Sequence, residues 1–451
     1  MKTVILRAAA AATLLATIAG SAASSAEAAA PERAVLLRDV RIFDGVHEQL
    51  VAGHVLVEGA LIRRVSSDPI EPPAGARVID GAGRILMPGL IDLHAHLNVQ
   101  FPKDQPFLHP SVGGALAASA ARWYLEHGFT TVRDAGGTHP DFARAIESGL
   151  IEGPRVFPSG AIVSQTGGHG DFRPPWAGHP RLDGCGCGMV LAHGFTVLAD
   201  GVPQTLAAVR ENLRLGATQI KIMGGGGVAS DYDPLDSLQP SAEEIRAAVQ
   251  AAGDWGTYVM AHAYTSAAVQ RLVNNGVKVI EHGHLIDEPT ARLCAEKEVP
   301  ISTQVAVFEL AGSLPGMTER NRAKLRRVLE GQERLMALIR KYRIKTGFGT
   351  DMVFGAYPEV SRELVARTRF FSPAEILRQA TSESAEIVRL AGRLNRWGNF
   401  GEVREGWRAD LLLVEGDPFA DIAILTDPER SLAMIMKDGR IVRLRQAPRG
   451  R

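Results

Sequence analysis

The chain lacks the features that mark several common functions. Its charges cancel, with 50 lysines and arginines against 50 aspartates and glutamates. A zero balance gives no electrostatic footprint for nucleic acid. Long apolar runs are scarce. Ala8 to Ala19 is too short to anchor in a bilayer, and no later stretch reads as transmembrane. Cysteine is rare: Cys185, Cys187 and Cys294 are the three in the chain. An odd count in an oxidising compartment leaves at least one free thiol and excludes a fully paired framework. The glycine run Gly224–Gly227 has neither the GK[ST] ending of a phosphate loop nor dinucleotide spacing. "HEQL" at 47–50 is followed by Val51 where a zincin needs its second histidine.

At 451 residues the chain suits one large α/β domain with an accessory domain. Residues 1–28 read as a secretory signal peptide. Lys2 and Arg7 precede the apolar run, and Ala26-Glu27-Ala28 is an A-x-A cleavage site. No cysteine stands near that site, which argues against a lipid anchor, and a secreted or periplasmic protein is expected. Cys185 and Cys187 are separated by one glycine, so a bridge between them would be strained. They form either an adaptable Gly-rich loop, the plainer reading, or an extra metal site with His179 and His193.

Residues 29–86 and 394–451 both show short alternating strands with turn residues between. They are expected to form one discontinuous β-sandwich domain. Residues 87–393, inserted between them, repeat a strand-then-helix rhythm. Eight strands are expected: the one ending at His96, then 129–136, 155–161, 218–224, 257–263, 277–283, 300–305 and 344–351. Ser241 with Glu244, and Ser372 with Glu375 and Pro373 between them, are capping boxes that open helices. Eight such units in series predict a (β/α)8 barrel, the fold class being α/β. The span exceeds the ~250 residues typical of that barrel, so long loops are inserted. The segment from Ser164 to about Asp200 is the main one, a lid or binding element.

In such a barrel the C-terminal strand ends surround one site. "MPGLIDLHAHL" places His94 and His96 on one side of the first strand. Strand four carries Lys221, strand five ends in His262, strand six in His282 and strand eight in Asp351. Each alone has a plain structural reading: hydrogen-bonded core histidines, a helix-capping aspartate, a lysine paired with Asp351 or Glu281. Jointly they read as a metal site. An inward lysine makes chemical sense once carbon dioxide converts its amine to a carbamate, an anion with two oxygens that bridges two divalent metals. Imidazoles suit zinc, and Asp351 would take and return the catalytic proton. His169, after strand three, is placed to polarise a scissile carbonyl or is a glycine-flanked loop histidine. Arg133 and Arg173 are candidates for a substrate carboxylate, with a structural pair to Asp134 as the equal alternative for Arg133. His284 is a second candidate for the position of His282.

These motifs carry a resemblance. "PGLIDLHAHL", "TVRDAGG", "SQTGGHGD", "QIKIMGGGGVAS", "MAHAY", "IEHGHLID" and "GEVREGWRADLLLVEGDP" are similar to the amidohydrolase superfamily. The branch is that of imidazolonepropionase-related hydrolases and Xaa-Pro-type metallo-dipeptidases, with the ochratoxin-hydrolysing amidohydrolases. The resemblance implies His94, His96 and Asp351 on one metal, His262 and His282 on the other, and carboxylated Lys221 bridging. It also implies a substrate contact for Tyr232, two divalent ions, most readily Zn2+, and a homo-oligomer. Mononuclear deaminase-like members lack the lysine. The expected partner is a small-molecule amide or dipeptide with a free carboxylate. Lactone or ester hydrolysis at the same site competes with this, as does a non-catalytic scaffold, which the complete ligand set argues against.

Overall fold

The computed structural model describes residues 34–101, 109–174, 177–179, 194–314 and 316–445. The signal segment 1–28 and the residues Cys185, Cys187 and His193 lie outside them.

Five strands come first: Ala34–Ile42 (β1), Val51–Glu58 (β2), Leu61–Ser66 (β3), Arg77–Asp80 (β4) and Ile85–Pro88 (β5). The central part supplies Leu90–Ala95 (β6), Phe129–Asp134 (β7), Arg155–Phe157 (β8), Ile162–Ser164 (β9), Thr196–Leu198 (β10), Ile220–Met223 (β11), Val259–Thr265 (β12), Val279–Leu285 (β13), Ile301–Thr303 (β14) and Thr346–Phe348 (β15). The chain closes with Leu411–Val414 (β16), Leu432–Lys437 (β17) and Arg440–Leu444 (β18).

Strands from both chain ends share one eight-stranded sheet, ordered β18-β17-β16-β5-β1-β2-β3 with β4 on β1. Their alternation buries one face: Val35, Leu37, Val55, Ile62, Leu411, Leu413 and Met434 form a common core. The central strands pair in parallel, β6-β7-β8 and β9-β11-β12-β13-β14-β15. At the remaining seam β15 lies against β6, and just beyond it the Asp351 amide donates to the His94 carbonyl at 2.7 Å. The fold is an α/β barrel of the TIM type with a small β-domain. Helices alternate with the strands, and both capping boxes are formed, opening helices Ala242–Asp254 and Pro373–Arg378.

Two expectations need correction. The third strand is not continuous over 155–161. Pro158 has no amide hydrogen to extend the ladder, and Gly160 turns at φ +70°. β8 therefore pairs with β7, and β9 with β11. The segment from Ser164 to Asp200 is also not all loop, because Thr196–Leu198 pairs with β9.

β8 ties the barrel to the sheet. Arg155 is buried, with Nη1 2.5 Å from Asp410 Oδ2, and it also pairs with Asp438. Cys294 is buried, and burial pushes its thiol up to about 12, which makes it inert at neutral pH. Among the described residues no helix is long and apolar enough to cross a membrane.

Candidate metal centre

The ends of β6, β11, β12 and β13 and the turn after β15 converge on one cavity of about 410 Å³. His94, His96, Lys221, His262, His282 and Asp351 all line it. Nε2 of His96 lies 3.2 Å and Nε2 of His94 3.5 Å from Oδ1 of Asp351. One ligand atom each from His94, His282 and Asp351 falls within a mutual 4.8 Å. The His262 and His282 ring centroids are 4.6 Å apart, and those of His94 and His282 4.9 Å. His282 and Asp351 have φ of +77° and +54°. Side chains rarely adopt such left-handed conformations, and they concentrate at functional sites.

The outer nitrogen of each ring is held, which leaves the other nitrogen for a ligand. Nδ1 of His94 bonds Glu281 Oε2, Nδ1 of His96 the Gly136 carbonyl, and Nδ1 of His282 Oε1 of Gln304, each at 2.7 Å. His262 is reversed: its Nε2 donates to the Gly226 carbonyl at 3.1 Å, so Nδ1 is the open nitrogen. Burial holds His94, His262 and His282 well below the usual imidazole range, reinforced by the Lys221 ammonium. They are neutral at neutral pH, the form that binds metal. For His96 burial acts downward, but Asp351 outweighs it and the net shift is upward. Burial pushes Asp351 up, and the surrounding positive field of His94, His96 and Lys221, with the His96 hydrogen bond, outweighs it, holding the carboxyl below its ordinary value. Bound metal would take over that role and leave the imidazoles neutral.

Lys221 is the anomaly. It is 1% exposed. Burial, with Arg133 nearby, brings its ammonium down to about 8, against the pull of Glu281 and Asp351. Among the described residues it makes no ion pair. Neither partner expected for it is available: Glu281 is engaged by His94 and by Arg133 Nη2 at 2.5 Å, and Asp351 by the histidines. An unpaired buried ammonium is costly. Four imidazoles with their outer nitrogens fixed, a carboxylate and an uncompensated lysine fit divalent metal ions and do not fit a packed apolar core. Replacing the backing carboxylate, Glu281→Gln, is expected to weaken metal binding by roughly 10–100-fold. Chelator competition measures this, and unchanged affinity would show that Glu281 plays no part in holding metal.

The substrate candidates divide. His169 is buried on the cavity wall, with Nδ1 2.7 Å from Ser230 Oγ. Burial brings it down to about 4, so it is neutral. Tyr232 lines the mouth and is half exposed. Arg173 lies on the same rim, its fork held by Asp171 at 2.8 and 2.7 Å. Arg133 does not reach the cavity. It is fully buried, and it donates to Leu93 O, Tyr258 Oη and Glu281 rather than pairing with Asp134. Its place as a carboxylate binder is therefore corrected to that of a support for Glu281. His284 also stands off the cavity, with Nε2 3.2 Å from the Gln304 carbonyl, and does not share the position of His282. His179 bonds Thr166 Oγ1 at 2.8 Å.

Sequence reasoning missed Gln304 and Ser230, and also the apolar lining from Phe101, Phe195, Phe308 and Phe354. Gln304 was within reach, since it stands one residue past strand seven, where the barrel ends gather. The phenylalanines come from three separate loops and one short helix, and no local period unites them.

The chain is similar to proteins of one family. The amidohydrolase family matches residues 85–442. An ochratoxinase of Aspergillus niger is 29% identical over 422 residues, covering 89% of this chain and 85% of its own. A crystal structure of an amidohydrolase superposes with TM-score 0.84 at 38% identity, covering 92% of this chain and all (100%) of its own. A prolidase complexed with N-methylphosphonate-L-proline gives TM-score 0.84 at 34% identity, over 91% of this chain and 100% of its own. The family match begins in β5, just before the histidine pair, and runs through the barrel into the closing sheet, so this chain belongs to the amidohydrolase family and is a hydrolase of amide bonds.

Proposed function

We propose that this protein is an exported, binuclear amidohydrolase that cleaves an amide next to a free carboxylate. The substrates would be dipeptides or N-acyl amino acids, bulky ochratoxin-type amides included. The observation that carries the two-metal reading is Lys221, buried among metal-ligand candidates and, among the described residues, without an ion pair. As a carbamate it would become the bridging anion. When bound, two divalent ions, zinc being suited to these imidazoles, would lower the pKa of water and polarise a carbonyl. Asp351, open to the cavity beside His94 and His96, would take the proton of the attacking water and return it to the leaving nitrogen. His169 would donate to the scissile carbonyl. Arg173 and Tyr232 sit at the rim where a carboxylate would arrive, and the phenylalanines provide an apolar bed.

Two relatives support the substrate class. One acts on ochratoxin by its name, an N-acyl phenylalanine. The other was crystallised with a proline derivative, and proline has a free carboxylate. Export rests on residues 1–28, and the homo-oligomer on the resemblance.

The test compares N-acyl amino acids with the same compounds lacking the carboxylate, and with lactones. Loss of a charge-assisted contact to the carboxylate is expected to lower kcat/KM by roughly 10- to 100-fold in the decarboxylated series. Equal rates with and without the carboxylate, or a preference for lactones, would overturn the reading.

A further inference from the structure

The run Gly224–Gly227 is not a phosphate loop, and the metal centre does not by itself explain it. None of its glycines has a positive φ, so backbone conformation does not require them. Space does. A Cβ on Gly227 would sit 1.9 Å from Cε1 and 2.0 Å from Nδ1 of His169, inside the imidazole ring. A Cβ on Gly226 would sit 1.8 Å from the Pro234 carbonyl oxygen, and one on Gly224 2.5 Å from Leu272. The loop is thinned so that it can fold back on itself and lie flat against the His169 ring.

Three residues on, Ser230 is buried on the same cavity wall, with Oγ 2.7 Å from His169 Nδ1. Its hydroxyl has one proton and two possible acceptors, this nitrogen and the Gly227 carbonyl at 3.3 Å. The carbonyl already accepts from Lys324 Nζ at 2.9 Å, and the shorter contact is the stronger bond.

The seat itself is rigid. The Ser230 carbonyl accepts from Asn321 Nδ2 at 2.9 Å and Lys324 Nζ at 2.8 Å, both from the long helix Glu319–Tyr342. The Gly227 amide donates to Asp233 Oδ2 at 2.8 Å, and the His169 amide to Gln239 Oε1 at 2.9 Å.

We propose that Gly227 and Ser230 form a seat for His169 that fixes its ring plane and its tautomer. The Ser230 hydroxyl donates to Nδ1, so Nε2 carries the hydrogen and presents it to the cavity as a donor. Ser230 is then a positioning residue. The catalytic use of that donor rests on the proposed reading of His169 as the group that polarises the scissile carbonyl.

The experiment uses the metal-loaded enzyme and an N-acyl amino acid substrate. Ser230→Ala is expected to lower kcat about tenfold, the scale of one hydrogen bond, with KM and metal content unchanged. Ser230→Thr, which keeps the hydroxyl, restores most of that loss. Gly227→Ala, which puts a methyl group where the ring lies, falls to the level of His169→Gln. In the His169→Gln background Ser230→Ala adds nothing, because its effect passes through the ring. In 15N-histidine-labelled protein, the His169 Nδ1 signal, assigned by its loss in His169→Gln, lies in the unprotonated range.

A protonated Nδ1, a full additional loss for Ser230→Ala on His169→Gln, or wild-type rate in Gly227→Ala would overturn the seat. If His169→Gln itself keeps the wild-type kcat, the carbonyl-polarising reading fails instead. The nitrogen shift then still decides the tautomer.

Discussion

Lys221→Ala is expected to strip the enzyme of bound metal and of several kcal/mol of transition-state stabilisation, roughly a thousandfold in kcat/KM. β11 alternates, so Lys221 and Met223 face the cavity while Ile220 and Ile222 pack outward. An aliphatic or amide residue at 221 would fill the same space without the cost of burying an amine. A lysine is justified there if it reacts, and an amine brought down to about 8 has a neutral fraction available to carbon dioxide at neutral pH. Because the alanine variant leaves a hole of the carbamate's shape, acetate or propionate is expected to restore part of both metal and rate. Elemental analysis and turnover with and without added acid measure this. A Lys221→Ala enzyme with normal metal content and turnover would rule out the bridging role.

Asp351→Asn is expected to cost about 10²–10⁴-fold in kcat, the range of general acid–base catalysis, with a smaller change in KM. Asparagine is the right replacement because residue 351 sits at φ +54°, which asparagine tolerates better than alanine does. It keeps one oxygen beside His94 and His96 but cannot accept and return a proton. Steady-state kinetics alongside a circular dichroism spectrum separates chemistry from folding. An Asp351→Asn enzyme that folds, holds metal and turns over at the wild-type rate would remove Asp351 from proton transfer.

What was legible in the sequence follows from periodicity. Strand-end positions can be read wherever an apolar run stops at a polar residue, and this brought His94, His96, Lys221, His262, His282 and Asp351 to one rim, where they all line one cavity. Capping boxes are equally local, and Ser241 and Ser372 open the helices their spacing indicates. Position alone does not say where an arginine points. Arg133 belongs to a strand whose residues are all buried, and it turns to Glu281 rather than to substrate. The Pro158 break was visible as a residue, but its effect on pairing depends on neighbours distant in the chain. The His169 seat was the least legible part. It joins residues 58 or more positions apart through ring-on-backbone contact, and the glycine run gave no sign of what lies on it.

A two-metal site built around Lys221 stands or falls on elemental analysis of the protein purified with zinc and bicarbonate present. Two metal ions per chain are expected. One ion per chain, or none, would contradict it.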